Sequence, residues 1–592
     1  MANVTVTSET YSVTWGTTTY SVSVSSGIAY PATSYINVKT GYGAVGDGVA
    51  DDTTAIQNAI NAALSSAATS GTVYFPGGPF RVTSTLLVEP DDSSRRITLL
   101  GDSMKSIISS EVVGAPTISV KDASYFTCQD LEFSGNGLTG ASGNGHALYI
   151  YDSNPGTGTW YPSFVKVHRC KFEDFKGNDV DEDDAAQLAC GIYIGNGLAN
   201  YVSECHIVDC GIGIMFDETQ NSHVIDCTVS TCGRWGIWFE QAYDACSIRN
   251  CDIVTCGNPD YSTAYVTAFS GTDVPHAGIL LRNTEGHIPI SGCKLKGSVS
   301  QISVYRCEGV SVEGCTVRPY DTGDNGDSGI WVFETTKMSV RDTNILYVVD
   351  SGADYTGIEM DSAGSSTGEY NYTVSGCTFN HASTVTADVK VVGDGSTDET
   401  TVNITDNVFG NNGRTNGATV TDCVVISDCL LSGQIAGNTF IAGVDDGDAT
   451  TITDSIDISG ATRSRLLIAG NTDAEYSTGT ITNKSSAISS GFLLGKVDMT
   501  ADDTTPSVAN ASSLVTVANS GPTAITQLND AVAGQTVTII IGSNSNPPSI
   551  ADSGQFRLNG GAWSGKATND CITLYTTNGT TWFELSRADN ST

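Results

Sequence analysis

A chain of 592 residues and 61.7 kDa is more than one compact core usually encloses, which favours a fold that grows by adding rungs over one that grows in radius. With 65 acidic against 28 basic residues the formal net charge is -37, so no basic surface remains to follow a phosphate backbone, and a duplex DNA or RNA binder is excluded. The 39% hydrophobic content argues against global disorder, and 64 Gly against 15 Pro suits many tight turns.

Residues 1–34 alternate Thr, Ser, Val and Tyr and read as a short N-terminal β element, an attachment region. The opening MANVTVTSET has no basic stretch followed by an apolar one, so classical secretion is not expected, and no segment is apolar for long enough to cross a membrane. Asp51 to Leu64 then reads as an amphipathic helix, with Asp52 or Thr53 as N-cap and Ile56, Ile60 and Leu64 as its apolar stripe. A lone helix among strands suits a cap over an open end of a strand-built fold, and residues 35–94 are assigned to that cap and entry.

The middle of the chain repeats. Cys205-His-Ile-Val-Asp-Cys210 recurs as Cys227-Thr-Val-Ser-Thr-Cys232 and Cys251-Asp-Ile-Val-Thr-Cys256, at offsets of 22 and 24 residues. Related phrases begin at Cys170, Cys293, Cys315 and Cys377, and continue without Cys at Asp406 and Gly437. A period in the low twenties, with β-branched residues interrupted by Gly, Asn and Asp, predicts an all-β fold. The predicted architecture is a right-handed parallel β-helix over residues 95–500, its coil pattern clear to about residue 475. The 17 Cys form no CxxC pair, and they read as reduced core fillers at coil corners, made in a reducing cytoplasm.

A second ladder follows each Cys phrase: Gly191-Ile-Tyr-Ile-Gly195, Gly213-Ile-Met-Phe-Asp217, Gly236-Ile-Trp-Phe-Glu240, Gly278-Ile-Leu-Leu-Arg282, Gln301-Ile-Ser-Val-Tyr305, Gly329-Ile-Trp-Val-Phe333 and Gly357-Ile-Glu-Met-Asp361. If each Ile points inward, the third and fifth members point out. That outer face carries Tyr193, Trp238, Trp331, Tyr305 and Phe333 among Asp217, Glu240, Arg282, Glu359 and Asp361. Exposed aromatics among carboxylates suit a sugar groove; a protomer interface is the alternative. Long inserts at 257–275 and 319–328, and the acidic run Asp179–Asp184, precede rungs of this ladder and wall it; Arg306 and Arg318 lie nearby. Neither Asp179–Asp184 nor Asp321–Asp327 has calcium-loop spacing, so both are solvated turns, and no metal or cofactor is assigned.

Glycoside hydrolysis needs one protonated and one ionised carboxyl at the same bond. Asp217 and Glu240 fall on neighbouring rungs about 5 Å apart, and Glu359 and Asp361 lie about 6.6 Å apart on one strand; either pair qualifies. Tyr193, Trp238, Trp331, Arg282, Tyr305 and Phe333 are the expected substrate contacts. Residues 501–592 depart from the coil pattern, and alternating runs such as Gln535–Ile541 and Gly579–Ser586 predict a small antiparallel sandwich with Trp582 in its core.

Tyr35–Lys39, Tyr42–Thr53, Ala55–Gln57, Gly71–Gly77 and Leu100–Asp102 resemble the opening of the pectate-lyase-like superfamily, and within it bacteriophage tailspikes and tail-associated polysaccharide depolymerases. The resemblance implies a parallel homotrimer clamped by residues 501–592, contact with other tail proteins through the N-terminus, and a place on the virion tail. It further implies endo-hydrolysis of a bacterial surface polysaccharide. A polysaccharide lyase with Arg282 or Tyr305 as base, and a non-catalytic receptor-binding spike, are the alternatives. The Asn-Thr-Asp, Gly-His-Gly and Arg-x-Lys phrases of polygalacturonases do not occur here in that order.

Overall fold

The computed structural model describes the hairpin Glu9–Trp15/Thr18–Val24 and residues 35–588, except 66–69, 92–94, 104, 138–143, 154–161, 177–188, 258–275, 299, 319–327, 347–355, 363–368, 381–384, 394–398, 411–418, 442–443, 446–447, 450, 470, 474–494, 509–510 and 532. The inserts at 257–275 and 319–328, and both acidic runs, therefore fall almost wholly outside the described residues. Three parallel sheets wind as a right-handed β-helix, as the repeat predicts. Sheet I stacks Leu148–Tyr151, Cys190–Gly195, Ile212–Asp217, Trp235–Glu240, Ala277–Arg282, Ser300–Tyr305, Ser328–Phe333, Thr356–Asp361 and Val385–Val392. Sheet II includes Tyr201–Ser203, His223–Ile225 and Ser247–Arg249; sheet III includes His206–Val208, Thr228–Ser230 and Asp252–Val254. The long strands Thr419–Ala436 and Thr451–Ala469 each run through sheets I and II without a corner.

The Cys phrases sit at the corners for a specific reason. Between sheets II and III the chain turns on one residue in the left-handed region, among them Glu204, Asp226, Asn250 and Gly292, with φ of 52, 54, 53 and 64°. Asp and Asn tolerate that conformation because their short polar side chains bond locally. The next residue is Cys205, Cys227, Cys251 or Cys293, and its thiol donates to the carbonyl two residues earlier at 3.3–3.5 Å. The corner thus selects a small side chain with a donor, beyond mere fit. Thr343 does the same with its hydroxyl at 2.9 Å. On the last coils Asn407, Asn438 and Asn471 take over, each amide donating 2.9 Å to a coil carbonyl, with Asn407 linked to Asn438 and Asn438 to Asn471 at 3.0 Å. Cys210, Cys232 and Cys256 repeat the thiol-to-carbonyl contact at the corner after sheet III.

Glycine opens the sheet I phrases because the coil is tight there: a Cβ on Gly213 would lie 2.3 Å from the Gly236 carbonyl oxygen and 2.6 Å from Val229. The inward Ile ladder and the stacked rings Phe216–Phe239 and Phe379–Phe409–Phe440, at 4.8–5.0 Å, fill the core at rung spacing.

The capping helix is Thr53–Ser65, burying Ile56, Ala59, Ile60 and Ala63, with Leu64 partly buried. Asp52 differs from expectation. Its carboxylate turns inward, 1% exposed, and accepts the Val45 and Gly46 amides at 2.6 and 3.0 Å, while Asp51 accepts the Thr53 amide at 3.0 Å. The C-terminal unit has its own core, including Trp582. Its larger sheet is mixed, not antiparallel: Gly495–Asp498, Ala511–Thr516 and Thr536–Ile541 run parallel before Cys571–Thr576 reverses direction. Among the described residues no helix is long and apolar enough to cross a membrane.

Two outcomes test this account. Asp52→Asn should cost about 1–3 kcal/mol in chemical denaturation, because one buried amide loses its acceptor. Fifteen described Cys are buried and free, Cys571 is partly exposed and free, and the Cys429 side chain is outside the described set. Burial pushes Cys307 up to about 11 and Cys377 up to about 12, keeping those thiols protonated. Thiol titration should therefore find few reactive groups in the native protein and nearly all 17 in denaturant.

Candidate functional site

The register places the outer ladder as the alternation requires. Tyr149, Tyr193, Met215, Trp238, Leu280, Ser303, Trp331, Glu359 and Lys390 follow one another at the third place, and Gly195, Asp217, Glu240, Arg282, Tyr305, Phe333 and Asp361 at the fifth. Every expected site residue thus lies on one face of sheet I. That face has two unlike halves.

The first half corrects the expectation of an open groove. Tyr193 is 4% and Trp238 2% exposed, and Met215 and Leu280 are buried with them. They form a second apolar cluster with Cys190, Ile212, Trp235 and Ala277, outside the coil's own core. The reason is the residue just before each phrase: Ile212, Trp235 and Ala277, three residues before Met215, Trp238 and Leu280, join them in one cluster, so the face has enough apolar area to bury itself. Trp235 packs against Trp238 at 4.6 Å, and His276, pushed down to about 4 by burial and the Arg234 charge, closes edge-on against Trp235. Neither Tyr193 nor Trp238 offers a ring face to a sugar.

The second half is half-exposed and flat. Tyr305, Trp331 and Phe333 stack with ring planes within 8–14° of one another and centroids 5.3–6.3 Å apart. Three rings from two adjacent rungs form a shelf along the coil axis. Arg306 lies 4.8 Å over Tyr305 and pairs with Glu334 at 2.6 Å.

The carboxylates flank the shelf. Asp217 and Glu240 are register partners, so their backbones are about 4.8 Å apart. Asp217 accepts the Tyr193 hydroxyl at 2.8 Å. Glu240 accepts three donors: Trp238 Nε1 at 3.1 Å, Asn283 Nδ2 at 3.0 Å and Arg282 Nε at 3.0 Å. Burial raises both carboxyls above the usual range; the Tyr193 bond opposes it at Asp217, and Arg282 and Asn283 oppose it at Glu240. Three donors stabilise the Glu240 anion, whereas Asp217 has the one from Tyr193. On the far side Glu359 is held by Lys390 Nζ at 2.7 Å and the Ser328 hydroxyl at 2.9 Å, and Asp361 is half-buried beside Phe333's rung.

Asn283, Ser328 and Lys390 were not singled out from sequence. Asn283 had a signal: it is the left-handed residue, φ 52°, directly after a fifth-place residue. Lys390 had one as well, in the continuation of the ladder to Val389-Lys390-Val391, one rung past Asp361. Among the described residues no cluster of His, Cys, Asp and Glu could hold a metal ion.

Residues 35–259, the cap and the first coils, match the family model described as rhamnogalacturonase A/epimerase, pectate lyase-like. The mannuronan C5-epimerase AlgE5 of Azotobacter vinelandii is 57% identical over 56 residues, 10% of this chain and 5% of the relative; the chain thus matches only about a twentieth of the curated relative's length. Among solved structures, the A-module of A. vinelandii mannuronan C-5 epimerase AlgE4 is 16% identical with a TM-score of 0.41, over 76% of this chain and 100% of that one. The Dettilon tailspike protein is 12% identical with a TM-score of 0.41, over 92% and 76%.

The raised Asp217 carboxyl fixes the sign of a pH effect. Its folded form favours the proton, so that stabilisation is complete below the ordinary carboxylate range and is lost as pH rises through the elevated value. Asp217→Asn keeps the Tyr193 bond without the charge. Its denaturation midpoint should fall less than wild type's as pH rises above the ordinary Asp value of about 3.9; equal slopes would contradict the burial account.

Proposed function

We propose that the protein is a tailspike-type depolymerase that lays a bacterial surface polysaccharide (capsule, exopolysaccharide or O-antigen) along sheet I and cleaves it internally by hydrolysis. The observation that carries this reading is the Asp217–Glu240 pair, on adjacent rungs three and two rungs from the Tyr305–Trp331–Phe333 shelf. Asp217, holding the proton, gives it to the glycosidic oxygen as the bond to the anomeric carbon breaks. The Glu240 carboxylate attacks that carbon, and water then releases the sugar with Asp217 as base, a sequence that suits two carboxyls on neighbouring rungs of one face. The shelf holds a neighbouring sugar by its apolar face, and Glu359 with Lys390 binds hydroxyls beyond it. Five rung intervals from Asp217 to Asp361 span about 24 Å, room for several sugars and hence for internal cleavage. The family description and the named relatives, which include epimerases and a tailspike, support action on a polysaccharide chain.

In this reading the chain acts as a homotrimer on the virion tail, with residues 501–592 as clamp and residues 1–34 as attachment. The lyase alternative draws no support from Arg282, whose guanidinium is committed to Glu240 and lies 5.8 Å over Trp238.

On host-derived polysaccharide, Asp217→Asn and Glu240→Gln should each lower kcat by about a thousandfold or more with an unchanged fold, read as reducing ends released over time. Trp331→Ala should raise KM, whereas Trp238→Ala should cost about 3–5 kcal/mol of stability as a cavity. Near-wild-type rates in both carboxylate variants, or products absorbing as unsaturated uronic acids, would end the hydrolytic reading.

A further inference from the structure

The outer face of sheet I has a charge balance that bears on what rests there. From the Asp217 rung to the Lys390 rung, the third- and fifth-place residues and the turn residue after each strand include six carboxylates (Asp217, Glu218, Glu240, Glu334, Glu359 and Asp361) and three cations. Each cation already faces a carboxylate: Arg282 meets Glu240 at 3.0 Å, Arg306 meets Glu334 at 2.6 Å, and Lys390 meets Glu359 at 2.7 Å. The residue just before each phrase, from Ile212 to Ala387, carries no charge, and the one charged first-place residue, Asp388, is buried. The surrounding sequence has the same sign. The segments 177–188, 258–275, 319–327 and 347–355, each joining a sheet III strand to a sheet I strand, contain five, two, three and two acidic residues and no Lys or Arg.

We infer that the sugar held on the Tyr305–Trp331–Phe333 shelf is uncharged, so that the polymer is neutral at the residues it presents there and is not a polyuronate. This rests on the proposed reading of the shelf as a sugar platform and names its substrate class. A carboxylate-bearing sugar would compete with Glu240, Glu334 or Glu359 for its cation while adding another negative charge to a face already in surplus. Two like charges 4 Å apart repel by about 1 kcal/mol in water and about 4 kcal/mol near a protein surface. A neutral ring meets no such cost. Its hydroxyls donate to Glu240 or Glu359 and accept from Arg282 or Lys390, so a carboxylate–cation pair matches a diol and stays intact. The flat rings meanwhile suit an apolar sugar face and give no attraction for an anion, since the faces of aromatic rings are electron-rich.

The test applies the full-length chain to an array of neutral, uronate-containing, sialylated and phosphorylated oligosaccharides, alongside Trp331→Ala and Glu359→Gln. Binding that is lost in Trp331→Ala marks the shelf. The inference expects such binding to be confined to neutral glycans in the wild type. It also expects Glu359→Gln, which leaves Lys390 without its carboxylate, to strengthen oligogalacturonate binding by about two- to fivefold. Shelf-dependent binding of uronate or phosphate glycans by the wild type, weakening as salt is raised, overturns the inference and leaves the platform in place. An array on which no binding depends on Trp331 overturns the platform itself, and the inference with it.

Discussion

Coil upon coil, in register, is the constraint that everything else obeys. Each rung donates and accepts along the axis at a fixed spacing of about 4.8 Å, so equivalent residues are bound to meet. At a corner this brings the same turn residue onto itself coil after coil. The chain answers with a left-handed residue followed by a small side chain that can donate to a carbonyl: a thiol through most of the helix, a hydroxyl at Thr343, and a linked row of amides at Asn407, Asn438 and Asn471. Cysteine, hydroxyl and amide look unlike in sequence and perform one task here.

The same constraint builds the outer face of sheet I. Stacking Ile212, Trp235 and Ala277 beside Met215, Trp238 and Leu280 gives enough apolar area for a second buried cluster. Stacking Tyr305, Trp331 and Phe333 beside Ser303, with Ser300 and Ser328 just before the phrases, does not, and the rings remain half-open. The boundary between cluster and shelf falls where Ala277 and Leu280 give way to Ser300 and Ser303. Asp217 and Glu240 lie at the edge of the buried half, which is why their charges are partly withdrawn from water and why Tyr193, Trp238 and Asn283 can hold them.

Much of this was legible in the sequence. The period of the Cys phrases gave the solenoid, and the Ile ladder gave the register of sheet I correctly on every rung from Gly191 to Asp361. Alternation says which way Trp238 and Tyr193 point; it does not say whether neighbours on the same face will cover them. That depended on residues three places before Trp238 and Met215, namely Trp235 and Ile212, which stand just ahead of each phrase and carry no groove signature of their own. The ion pairs were hidden for a similar reason. Arg282 and Glu240 are 42 residues apart in sequence, and Lys390 and Glu359 are 31 apart; only the rung alignment joins them.

A tube of constant pitch is also a ruler. A linear polymer laid along it meets equivalent side chains only where its own repeat coincides with the rung repeat, and elsewhere the two drift out of step. The stacked rings at Tyr305, Trp331 and Phe333 occupy only two rungs, and the paired carboxylates two more, which is a short enough stretch for that drift to remain small. Commensurability, together with the length of the face, would therefore set how many repeats of such a polymer could match one face at once.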